Sequence, residues 1–115
     1  MIKVEAVVVR EKVEEVMDAV TDRTGHVGVT VLEAVGHGRQ PGITHEYRGR
    51  VFESRFLPKA LLVFVVEDER AEAVVETIVE TARTGHESGD GIVWTTPVLG
   101  VMHHRTGAPL EEVGV

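Results

Sequence analysis

The chain has 115 residues, enough for one hydrophobic core and too few for two ordinary domains, so residues 1–115 read as a single unit. Apolar residues reach 43%, which excludes a disordered chain, and 19 Asp and Glu against 12 Lys and Arg leave a net charge of −7 that disfavours nucleic acid as a partner. With no cysteine, no secretory leader and no membrane-length apolar run, disulfide scaffolds and thiolate zinc sites are excluded and the expected location is the cytoplasm.

Residues 2–9 are an apolar, valine-rich run and predict a buried strand. Over 12–20 the spacing becomes helical, with Val13, Val16, Met17 and Val20 on one stripe. Gly25 and Gly28 mark a turn, and 29–35 predicts a second strand. From 36 to 56 the pattern breaks into Gly, Pro, His, Arg and Glu; a structureless stretch of about twenty residues is uncommon in a small domain and is usually functional or mobile.

Residues 59–66 predict a third strand, and 69–83 a second helix with its apolar stripe at Val74, Val75, Ile78 and Val79. A polar, glycine-rich turn at 85–91 leads to a fourth strand at 92–98, and the tail at 99–115 has little period. The order β-α-β, loop, β-α-β predicts an α+β, ferredoxin-like βαββαβ sandwich. Two helices cover one face of such a sheet, yet the strands are apolar at nearly every position. The second face is therefore expected to meet another subunit.

Four separated segments carry a resemblance: Thr30-Val31-Leu32-Glu33-Ala34-Val35-Gly36-His37-Gly38-Arg39-Gln40, Glu46-Tyr47-Arg48-Gly49, Phe56-Leu57-Pro58-Lys59, and Ala82-Arg83-Thr84-Gly85 leading to Gly89-Asp90-Gly91. With Arg105-Thr106-Gly107 near the end, their order and spacing resemble the nitrogen-regulatory PII signalling family over nearly the whole chain. On its own, Gly89-Asp90-Gly91 reads as a tight turn before a strand. Beside Arg39 and Arg105, which can pair with phosphate bidentately, it reads as a phosphate-facing turn.

The resemblance implies a homotrimer with adenine nucleotide, ATP or ADP, in each cleft between subunits. It places Thr30 near the base, Gly36, Gly38, Arg39, Gln40 and Gly89 to Gly91 along the nucleotide, and His103 and Arg105 at the phosphates. Gln40 and Lys59 match the positions that hold 2-oxoglutarate beside a magnesium ion; read without the family they are a loop amide and a strand-edge charge. Tyr47, Arg48 and Phe52 fall in the loop that docks a membrane transporter or a metabolic enzyme, and the implied role is regulatory rather than enzymatic, with slow ATP hydrolysis as the one activity the family lends it.

The departures from the family bear on phosphate. Ile92 stands where a lysine usually follows Gly-Asp-Gly, and His103 replaces the first arginine of the Arg-x-Arg-Thr-Gly ending. Two weakened cations imply that ADP or AMP is bound as well as ATP. Phe52 occupies the place of the tyrosine that some bacterial members uridylylate, which removes the hydroxyl that is modified. Alternative readings are a sensor of inorganic carbon or another metabolite, and a metal-binding trimer of the same architecture. His103 and His104 are adjacent, so on a strand they would face opposite ways rather than share one ion.

Overall fold

The computed structural model describes residues 1–38, 43–54, 56–86 and 89–110, with the side chains of 43–47 and 50–54 outside the description. Its elements are β1 (Ile2–Val9), α1 (Val13–Thr24), β2 (Val29–Gly36), β3 (Ile43–Tyr47), β4 (Arg50–Ser54), β5 (Leu57–Val66), α2 (Asp68–Ala82) and β6 (Gly91–Pro97). The four long strands form one antiparallel sheet in the order β2-β5-β1-β6. This is the ferredoxin-like arrangement expected from the element order.

Strand side chains alternate between faces, so parity decides where each goes. Val4, Ala6 and Val8 of β1 and Ala60, Leu62, Phe64 and Val66 of β5 point toward the helices and are buried. They pack with Val16 and Val20 of α1 and with Val74, Ile78 and Ala82 of α2 as one core. The helices are tied across their outer edge by Arg23, which reaches Glu80 at 3.0 Å and Glu76 at 3.4 Å.

The odd-numbered residues of the same strands, including Val7, Leu61, Val63 and Val65, are half-buried on the opposite face. Register puts Leu32, Ile92 and Trp94 on that face too, with 47%, 69% and 37% of their surface exposed. Polar residues on that face include Glu5, which accepts from the Trp94 Nε1–H at 3.2 Å and pairs with Lys3 at 3.0 Å.

The structure differs from the sequence reading within 36–56. Ile43–Ser54 is a two-stranded hairpin, β3 paired to β4 from Ile43↔Ser54 to Tyr47↔Arg50. Arg48 and Gly49 make its two-residue turn with φ of 52° and 77°, both positive as the tightest hairpin connection requires. Helix α1 also runs four residues beyond its apolar stripe, to Thr24, whose hydroxyl donates to the Val20 carbonyl at 2.8 Å. Among the described residues no helix is long and apolar enough to cross a membrane.

Candidate functional site

A cleft of about 370 Å³ opens where β2 and β5 run into the 37–56 segment. It is lined by Val7, Gly36, His37, Gly38, Leu57, Lys59, Gly89, Gly91 and Ile92. The strands bring these distant segments together: Gly36 pairs with Leu57, Val9 with Lys59, and Val8 with Gly91. His37 and Phe56 close the neck of the segment, their rings tilted by 50° with centroids 5.7 Å apart.

Lys59 is 6% exposed and lies across Gly36, where an added Cβ would stand 2.9 Å from the Lys59 Cγ. Its ammonium donates to the Gly89 carbonyl at 2.5 Å, binding the glycine turn to the sheet. Gly91 has φ of 99°, and a Cβ there would fall 1.8 Å from the Val7 carbonyl oxygen. Only glycine fits that approach.

The Thr84 hydroxyl donates to the Asp90 Oδ1 at 2.5 Å and accepts from the His86 backbone N–H at 3.2 Å. The Thr84 hydroxyl, above all, holds the Asp90 carboxyl below the ordinary carboxylate value; burial opposes it, while the Thr84 backbone N–H and the attraction of His86 and Lys59 assist. Asp90 is thus ionised at neutral pH and engaged in closing its own turn.

The remaining predicted site residues lie outside the lining of this cleft. Thr30 is exposed and belongs to the row Thr30–Val63–Glu5–Trp94. The tail leaves β6 beyond Pro97, its start fixed by the Val98 N–H on the Met1 carbonyl at 3.1 Å. His103 and Arg105 sit in a turn in which the Gly107 N–H donates to the His103 carbonyl at 2.8 Å and the His103 N–H donates to the Ala108 carbonyl at 2.9 Å. Arg105 is exposed; His103 is half-buried, and its Nδ1 is buried without a hydrogen-bond partner. The six steps from Gly91 to Pro97 separate the two ends of β6 by about 20 Å at the usual strand rise.

The structure therefore gathers Gly36, Gly38, Lys59, Gly89, Asp90 and Gly91 at one end and leaves Thr30, His103 and Arg105 outside the lining of that cleft. Arg39 and Gln40 lie outside the described residues, and Tyr47 and Phe52 are described only as backbone of β3 and β4. Arg48 is exposed at the hairpin tip. Among the described residues no group of three His, Asp or Glu is placed to hold a metal ion. Sequence reasoning gave no role to His37, Leu57 or Thr84. The first two were signalled only by standing beside predicted site residues, and Thr84 by its place six residues before Asp90.

The family model described as nitrogen regulatory protein P-II matches residues 1–108. The chain belongs to the P-II family. It is 45% identical to nitrogen regulatory protein P-II 2 of Methanothermobacter thermautotrophicus over 107 residues, covering 93% of this chain and 91% of that one. The nitrogen regulatory protein P-II of Microchaete diplosiphon is 45% identical over 112 residues, covering 97% and 98% of the two chains. That of Azospirillum brasilense is 43% identical, covering 93% and 94%. These proteins share the family's regulatory description, and the four-stranded, two-helix sandwich agrees with the family fold.

Proposed function

We propose that the chain is a nucleotide-responsive regulator that binds ADP or ATP, and AMP, in clefts between the subunits of a homotrimer. The observation that carries this reading is that Thr30, His103 and Arg105 fall outside the lining of the cleft, the tail that bears the last two leaving β6 about 20 Å from Gly91. A neighbour docked on the apolar face can supply them. Burying Leu32, Leu61, Ile92 and Trp94 there gives the association its driving force.

The donor set of the cleft fits a phosphate ester. Gly38, with nothing within 4 Å of where a Cβ would stand, leaves backbone accessible, and Lys59 supplies a cation within the same walls. Lys59 and Gln40 are the residues assigned to a 2-oxoglutarate carboxylate and a magnesium ion, an ion that supplies charge neutralisation to oxygen ligands when bound. Ile92 places an exposed apolar side chain at the cleft instead of a cation. The lining is consequently matched to a nucleotide of lower charge.

His37 lines the cleft and also packs on Phe56, so occupancy is felt at the root of the hairpin-bearing segment. Through that segment the protein would engage a transporter or metabolic enzyme, an equilibrium between loop conformations biased by ligand. Calorimetric titration with ADP, AMP and ATP, with and without magnesium and 2-oxoglutarate, tests the reading. ADP or AMP should bind at least as tightly as ATP, because a missing charge-assisted contact is worth about 1.5 to 3 kcal/mol. A preference for ATP above about tenfold would contradict the assignment of Ile92.

A further inference from the structure

Where the connection from α2 meets β6, two glycines with positive φ, Gly89 at 87° and Gly91 at 99°, flank Asp90. Glycines in that region have wide conformational freedom, so the direction of their N–H groups needs an external restraint. On the sheet side Lys59 provides one by holding the Gly89 carbonyl. On the helix side stands Thr84, two residues beyond Ala82, where α2 is anchored in the core together with Ile78. Its hydroxyl is used in both directions, donating to Asp90 and accepting from His86.

We propose that Thr84 is a positioning residue for the nucleotide: through the Asp90 carboxylate it fixes the direction in which Gly89 presents its backbone to phosphate. Asp90 is the link, not a ligand. A carboxylate turned toward phosphate would repel it, and here the carboxylate is already engaged by a hydroxyl and a backbone N–H of the same residue. The lowered pKa of Asp90 fits this geometry, since the hydrogen bonds favour its charged form. The proposal rests on the reading of this cleft as a nucleotide site.

Calorimetry with ADP on the full chain and its variants tests it. Thr84→Val, which keeps the shape and removes the hydroxyl, should weaken ADP binding by about tenfold or more, the scale of one charge-assisted hydrogen bond. Thr84→Ser should restore affinity to within about threefold, and Asp90→Asn, whose amide oxygen still accepts from Thr84, should also stay within about threefold. In nitrogen–proton correlation spectra without ligand, the Gly89 and Gly91 amides should shift in Thr84→Val and return in Thr84→Ser.

Thr84→Val binding as tightly as the unaltered protein would overturn the positioning role alone. A loss in Asp90→Asn of more than about tenfold would also overturn it, because the carboxylate would then meet the ligand itself; that test does not depend on Thr84→Val folding. Failure of the unaltered protein to bind ADP would overturn the nucleotide reading and this proposal with it.

Discussion

At the end of the sheet where β2 and β5 meet the 37–56 segment, the candidate site is made of backbone and held by its own hydrogen bonds. Lys59 fixes Gly89, Thr84 fixes Asp90, and Gly91 rests against the Val7 carbonyl. Away from that cleft the site residues are side chains, Thr30 on an exposed edge strand and Arg105 on an exposed turn. The cleft has its form before any ligand arrives; the other residues contribute only what they can reach. In the proposed trimer a neighbouring subunit would bring them to the cleft.

The largest effect should come from the tightest point of the preformed end. Gly91→Ala drives a Cβ into the Val7 carbonyl at a φ that alanine rarely adopts, and should destabilise the chain by about 4 kcal/mol or more, read by urea denaturation. A loss below about 1 kcal/mol would mean that this end is not built on that contact. On the open face, Leu61→Glu should leave the core intact and convert the proposed trimer to monomer in light scattering. A trimer that survives would place the neighbour elsewhere.

Gly36→Ala is gentler, because the atoms it meets belong to the flexible stem of Lys59. It should reduce stability by about 1 to 2 kcal/mol, by the same denaturation measurement, as the buried side chain shifts from Gly89. The smallest effect belongs to Asp90. Its folded-state pKa is lowered, so its stabilisation is present above the ordinary carboxylate value of 3.8 and disappears as pH falls through the lower folded value. Melting temperatures of the unaltered protein and Asp90→Asn should therefore differ near neutral pH and converge below 3.8.

Much of this contrast was legible in the residues. The apolar runs and the stripe Val74, Val75, Ile78 and Val79 placed the four sheet strands and both helices to within a few residues, and the glycines marked the preformed end. The continuous run 60–65 concealed that Leu62 and Phe64 enter the core while Leu61 and Val63 face outward, a matter of parity within the strand. The hairpin in 43–54 was missed because His45, Glu46, Glu53 and Ser54 mask strand character in an apolar count. Arg48-Gly49 was its turn signal, weakened by an arginine where asparagine or aspartate is usual. Gly91 was expected to admit a phosphate, yet the approach it permits is that of β1's own backbone.

The proposal that one nucleotide is shared between the cleft of one subunit and the tail of another is tested most directly by complementation. Gly38→Glu sets a negative charge at the cleft in open space, and Arg105→Glu reverses an exposed cation in the tail, so each should fold and each should lose ADP binding. The two variants, unfolded together and refolded as mixed trimers, should regain ADP binding at about a quarter of the sites, since a working site needs an intact half from each of two randomly drawn neighbours. Recovery near that level in calorimetric stoichiometry is the predicted result. No recovery from mixtures shown to contain both chains would mean that each nucleotide is held by one subunit alone.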